Sequence, residues 1–92
     1  MAVVVHLPGV LAPHAGGRSR VTLEAVPDVG AALAALFALH AGLRDRIHNE
    51  RGELRPHVNV FVGSENVRDL NGLATRLPDG AELFILPAVS GG

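Results

Sequence analysis

"PDVGAALAALFALHAG", residues 27–42, reads as a helix with one apolar side. Pro27-Asp28 punctuates the chain, and the Asp28 carboxylate is placed to accept from the free N–H groups of a first turn. From Val29 to about Ala41 the residues are mostly strong helix formers. Val29, Leu33, Leu36, Phe37 and His40 recur at helical spacing and form one stripe. Gly42 reads as the stop. One stripe needs one partner surface, so the rest of the chain must supply a layer for it to cover.

The flanking segments read as strands. Residues 2–7, "AVVVHL", are β-branched and apolar and are halted by Pro8-Gly9. Residues 8–19 are rich in Pro and Gly and read as a loop, in which Gly16-Gly17 needs only a turn. In residues 20–26, Val21, Leu23 and Ala25 alternate with Arg20, Thr22 and Glu24, the pattern of a half-buried strand. After the helix, "LRDRIH" (43–48) offers one more helical turn with Leu43 and Ile47 spaced i, i+4, and residues 49–56 read as a polar loop. "HVNVFVG" (57–63) sets Val58, Val60 and Val62 against His57, Asn59 and Phe61. Residues 64–69 suggest a tight turn and a short edge strand running through Val67, residues 70–80 are irregular up to the "PDG" turn at 78–80, and "ELFILP" (82–87) is the last strand.

This order predicts an α+β fold: a mixed sheet of four to five strands, covered on one face by one main helix. The first and last strands are expected to pair in parallel at its centre, a β-grasp, ubiquitin-like arrangement. The expected core sets Val3, Val5, Leu7, Val21, Leu23, Val58, Val60, Val62, Leu83 and Ile85 beneath Leu33, Leu36 and Phe37. The expected division is a domain over residues 1–87 and a tail over 88–92.

Composition removes several function classes. Of 92 residues 48% are hydrophobic and only 18% charged, which favours a packed core over disorder. No cysteine is present, so disulfides, thiol nucleophiles and thiolate metal sites are excluded. A net charge of −1 gives no footprint for nucleic acid or an anionic membrane. The N-terminus lacks the features of a signal peptide, and the most apolar run is shorter than the ~20 residues a membrane span needs, so a cytoplasmic protein is expected. The five histidines include no pair at i, i+4 on the helix and no HExxH motif, and no metal site is expected. His40 is expected to be partly buried and His48 to lie on the surface. Ser19, Ser64 and Ser90 lack a nucleophile-elbow context, and Asp45, Glu50 and Glu53 read as a solvated loop. All eight basic residues are arginine, so the chain offers no side-chain amine for acylation and could not be conjugated to itself through lysine.

What remains is the end of the chain, "LPAVSGG" (86–92). Glycine is the costliest residue to order, so the tail after Pro87 is expected to be mobile. Its five residues reach about 16 Å when extended, at roughly 3.3 Å each, far enough to carry the carboxylate of Gly92 into a narrow slot on another protein. If the valines face the helix, Phe61, Phe84 and Leu86 face outward beside that tail. A one-residue error in that face assignment would flip every side chain. An exposed apolar patch of this kind marks an interface. Phe61, Phe84, Leu86, Pro87, Ala88, Val89 and Ser90 are therefore the expected partner surface; Arg68 and Arg76 could ring it, but each reads first as a solvated surface arginine.

"LAPHAGG" (11–17), "HVNVFVGSENVR" (57–68), "GLATRLPDG" (72–80) and "LPAVSGG" (86–92), taken with the strand order, resemble the ubiquitin-like sulfur carriers of the MoaD/ThiS family, most of all its actinobacterial branch in cysteine biosynthesis. The resemblance spans nearly the whole chain. It implies a protein co-substrate rather than an enzyme, with no cofactor of its own. A ubiquitin-activating-like partner would adenylate Gly92 with ATP, Gly91 and Gly92 forming the activated terminus, and a sulfur donor would displace AMP to leave a thiocarboxylate. The implied acceptors are cysteine-synthase-like, thiazole-synthase-like or molybdopterin-synthase-like enzymes, and a metalloprotease that releases product or trims the tail is a further implied partner. Two other readings stay open: a modifier joined to target lysines through Gly92, and a non-covalent interaction subunit.

Overall fold

In the computed structural model, which describes residues 2–87, a five-stranded sheet carries the helix on one face. The strands are β1 (Val3–His6), β2 (Arg20–Leu23), β3 (Val58–Val62), β4 (Glu65–Asn66) and β5 (Glu82–Pro87). Their order across the sheet is β2-β1-β5-β3-β4. β1 and β5 pair in parallel at the centre, Val5 opposite Leu83 and His6 opposite Phe84. The other ladders are antiparallel. This is the expected β-grasp order, with the first and last strands joined in the middle.

The helix α1 (Val29–Leu39) begins where the sequence placed it. Asp28 is the N-cap, its side chain accepting from the Ala31 N–H at 2.8 Å. Val29, Ala32, Leu33 and Leu36 are buried and Phe37 is half-buried against the core. The opposing face of the sheet supplies Val3, Val5, Val21, Leu23, Val58, Val60, Leu83 and Ile85, all buried. The period-two alternation of "HVNVFVG" and "ELFILP" therefore put each side chain on its correct face.

Three details differ from the sequence reading, at the end of the helix, the end of β2 and the end of β4. The helix stops at Leu39, two residues early, because Ala41–Leu43 tightens into a 3₁₀ turn that drives Leu43 into the core; Gly42 lies inside that turn, against His14, and is not a left-handed stop. The extra helical turn α2 (Arg44–Ile47) follows directly and buries Ile47. β2 ends at Leu23, so Ala25 is exposed rather than buried. β4 ends at Asn66, and Val67 instead opens a 3₁₀ turn that buries it fully.

The loop after β1 is also more than a loop. Ala12–Ala15 forms a 3₁₀ turn that buries Leu11 and Ala15, and Gly16 closes it at φ 66°, donating its N–H to the Ala12 carbonyl. A side chain at such a φ is strained, so glycine is needed here. Gly16-Gly17 is thus turn chemistry, as expected. Thr75, the one buried polar residue among those described, is satisfied by accepting the Asn71 N–H at its Oγ1.

Candidate functional site

β5 is the strand that leads to the C-terminal residues, so what surrounds its last positions is the natural place to look. On the face opposite the helix, the ladders set three rings in a row across three strands. His6 of β1 is opposite Phe84 of β5, and Phe84 is opposite Phe61 of β3. The His6 and Phe84 rings stack at 4.4 Å with an interplanar angle of 7°. His6 Nε2 lies 2.7 Å from Glu82 Oε1, two positions along β5 from Phe84. The next rung pairs Asn59 with Leu86, which is 44% exposed. The Asn66 amide donates to Asn59 Oδ1 at 3.4 Å, closing the β4 side of the row. Phe61 and Phe84 are half-buried by one another and by their neighbours, with no helix above them. The row is therefore an apolar strip that ends at exposed Leu86 and Pro87.

Arg68 and Arg76, read from sequence as solvated surface residues that could also ring the patch, are placed by backbone contacts. Arg68 Nη2 donates to the Arg55 carbonyl at 2.8 Å and the Val58 carbonyl at 2.7 Å, pinning the segment that enters β3. The Arg76 backbone forms an isolated antiparallel bridge with Asp28, the Val29 N–H donating to the Thr75 carbonyl and the Leu77 N–H to the Pro27 carbonyl, which ties the start of α1 to residues 75–77. His6 is the ring that the sequence reading missed on this face; its partner on the strip is 78 positions away, so no local pattern announces it.

A second feature was also missed. A groove of about 380 Å³ opens at the foot of β5, lined by apolar Pro8, Val10, Leu11, Val58, Leu86 and Pro87. Asp45, Arg46, Arg55 and His57 complete its lining. Four separated segments build it. Arg55 Nε donates to the Asp45 carbonyl at 2.6 Å, which ties those two segments of the lining together.

On the helix side, His48 packs edge-on against Phe37, with ring centroids 5.0 Å apart, and is half-buried rather than on the surface. Burial, and then the nearby Arg44 guanidinium, lower its pKa from the ordinary 6.5. Its buried Nε2 has no hydrogen-bond partner among the described residues. His40 is partly buried, as expected. Among the described residues no group of three His, Asp or Glu side chains is arranged to hold a metal ion, and no helix is long and apolar enough to cross a membrane.

Of the residues expected to meet a partner, Phe61, Phe84, Leu86 and Pro87 are gathered at this end of the outer face. Ala88, Val89, Ser90, Gly91 and Gly92, with the expected mobile tail, lie outside the described residues.

Comparison with known proteins gives consistent matches. The ThiS family profile matches residues 5–92. Sulfur carrier protein CysO of Mycobacterium tuberculosis is 39% identical over 94 residues, covering 100% of both chains. Its crystal structure superposes with a TM-score of 0.87 at 38% identity, over 95% of this chain and 99% of that one. A chain of the Amycolatopsis orientalis BexX/CysO complex gives a TM-score of 0.87 at 37% identity, over 98% of this chain and 99% of that one. Small archaeal modifier protein 1 of Haloferax volcanii is 39% identical over 83 residues, 89% of this chain and 91% of that one. Its crystal structure gives a TM-score of 0.83 at 34% identity and covers 100% of both. These relatives are carriers and modifiers rather than enzymes themselves.

Proposed function

We propose, from the premise that this chain belongs to the ThiS family, that it is a sulfur carrier whose working group is the carboxylate of Gly92. The observation that carries the reading is the extent of the match: the family profile runs through Gly91 and Gly92, and the likeness to CysO is full-length.

A carboxylate is a poor electrophile. A ubiquitin-activating-like enzyme, consuming ATP, joins it to AMP with release of pyrophosphate, and the mixed anhydride makes its carbon attackable. A sulfur nucleophile adds there, AMP leaves, and the terminus becomes a thiocarboxylate. The chain itself supplies no side-chain nucleophile of the thiol or amine class, since it has no cysteine and no lysine. It therefore offers the activated terminus no such group to react with. The chain works in the cytoplasm, beside its ATP-dependent partner, and binds no cofactor itself.

The row formed by His6, Phe84 and Phe61, ending at Leu86 and Pro87, is the surface the activating enzyme covers while residues 88–92 enter its catalytic slot. Aromatic anchors supply contact area at small entropic cost. The likeness to CysO favours a cysteine-synthase-like acceptor over thiazole-synthase-like or molybdopterin-synthase-like ones, with a metalloprotease to release the product. Deleting Gly91-Gly92 tests the reading: ATP-dependent pyrophosphate release by the activating enzyme should vanish while the thermal unfolding of the domain is unchanged. Undiminished pyrophosphate release by the truncated chain would refute it.

The likeness to small archaeal modifier protein 1 favours a second reading, that the same activated terminus is passed to lysines of other proteins. Tagged chain in a cell extract would then form high-mass bands resistant to reductant. Lacking lysine, it could not be extended through its own side chains.

A further inference from the structure

We propose that the groove at the foot of β5 is a second docking surface, shaped for an acidic segment with apolar flanks on the activating enzyme, and that Arg46 determines specificity there; this rests on the sulfur-carrier reading. The groove is lined in part by Pro87, the last described residue, so it borders the point where the tail begins. Leu86 belongs both to the groove lining and to the outer apolar row. A partner seated on Phe61 and Phe84 therefore reaches the groove without a break.

The chemistry of the lining selects the occupant. Pro8, Val10 and Leu11 are apolar, and Val10 is 70% exposed, an apolar side chain left uncovered by the fold. Arg46, Arg55 and His57 also line the groove, with Asp45 the one acidic residue of the lining among the described residues. Two arginines against one aspartate leave a local positive excess in a chain whose net charge is −1. Arg55 is held by its bond to the Asp45 carbonyl, and Arg68 holds the backbone of Arg55 in turn. This part of the lining is thus preorganised. Arg46 makes no hydrogen bond or ion pair among the described residues and keeps its planar fork for a carboxylate. Positive charge beside apolar area fits a segment that alternates Asp or Glu with aliphatic residues. Charges of this kind act mainly through encounter rate and salt dependence.

The test compares Arg46→Glu, Arg46→Ala and Phe84→Ala in steady-state pyrophosphate release with the activating enzyme, at low and high salt. Arg46→Glu should raise KM about tenfold with kcat unchanged, and should flatten the salt dependence of kcat/KM; Arg46→Ala should fall between it and the parent chain. Phe84→Ala should raise KM without altering the salt slope. If Phe84→Ala raises KM while Arg46→Glu matches the parent in KM and salt slope, the groove proposal alone is overturned. If the parent chain supports no pyrophosphate release at all, the sulfur-carrier reading and this inference fall together. Removing Gly91-Gly92, which leaves Pro87 in its peptide bond, should leave the backbone amide signals of Val10 and His57 unmoved. Displaced signals would place the chain's own end in the groove and overturn the assignment to a partner.

Discussion

Val60 and Phe61 are neighbours on β3 that serve opposite faces, and truncating each to alanine separates folding from recognition. Val60 is completely buried between sheet and helix. Val60→Ala removes two methyl groups, worth about 0.8 kcal/mol each in transfer, and leaves a small cavity. The sum is a loss of about 2 kcal/mol, which for a domain of this size lowers Tm by roughly 8–16 °C. Phe61 is half-buried on the outer face, opposite Phe84. Phe61→Ala loses one cross-strand pair and some strand preference, about 1 kcal/mol of stability. As an interface anchor, however, it should cost about 2 kcal/mol or more of binding, roughly a thirtyfold rise in Kd. Thermal unfolding followed by circular dichroism and calorimetric titration with the activating enzyme give the two numbers for each variant. The expected pattern is crossed: Val60→Ala is the less stable but binds normally at a temperature where it is folded, and Phe61→Ala loses about half as much stability but binds weakly. If Phe61→Ala keeps the parent Kd, the outer row is not the docking surface.

Asp28→Ala removes the only side-chain cap on α1 and should cost about 1 kcal/mol, read as a fall of a few degrees in Tm. Arg68→Ala frees the Arg55 and Val58 carbonyls from the bonds that pin the entry to β3, and should destabilise by about 1–3 kcal/mol in urea unfolding while leaving the helix signal intact in the folded state. His48 has a folded-state pKa below the ordinary 6.5, from burial first and Arg44 second. The unfolded chain therefore binds the proton more readily, and the His48 contribution is present above pH 6.5 and is lost as the pH falls from there through the folded-state value. Tm measured across that window should fall less steeply in His48→Gln than in the parent, and identical slopes would remove His48 as the cause.

The parts legible in the sequence are those with a local period. The alternation in residues 57–63 and 82–87 fixed which side chains face the helix, because a strand has period two and a single slip reverses every residue. Asp28 after Pro27 marked the helix start. The i, i+4 spacing of Leu43 and Ile47 marked a buried turn, but its geometry with Ala41–Leu43 did not follow, since a 3₁₀ turn leaves no distinct pattern. Ala25 continued the alternation of β2 and yet lies beyond the last rung, because Leu23 already pairs with Val3, the first residue of antiparallel β1. The partner surface was half visible. Phe61, Phe84 and Leu86 came from the face assignment, whereas His6 and the groove arise from long-range pairing and from four segments meeting at Pro87. Arg68 read as a surface cation because nothing in its neighbourhood predicts a reach to backbone carbonyls 10 and 13 residues away.

The claim that the chain carries sulfur on its last residue is tested most directly by intact-mass spectrometry. Purified chain is incubated with the activating enzyme, ATP and sulfide, and its whole mass is recorded before and after. The account predicts a new species heavier by one oxygen-for-sulfur exchange, localised by fragmentation to Gly92, absent without ATP and absent from a chain lacking Gly91-Gly92. A chain that the enzyme adenylates but whose mass never shows that exchange would contradict it.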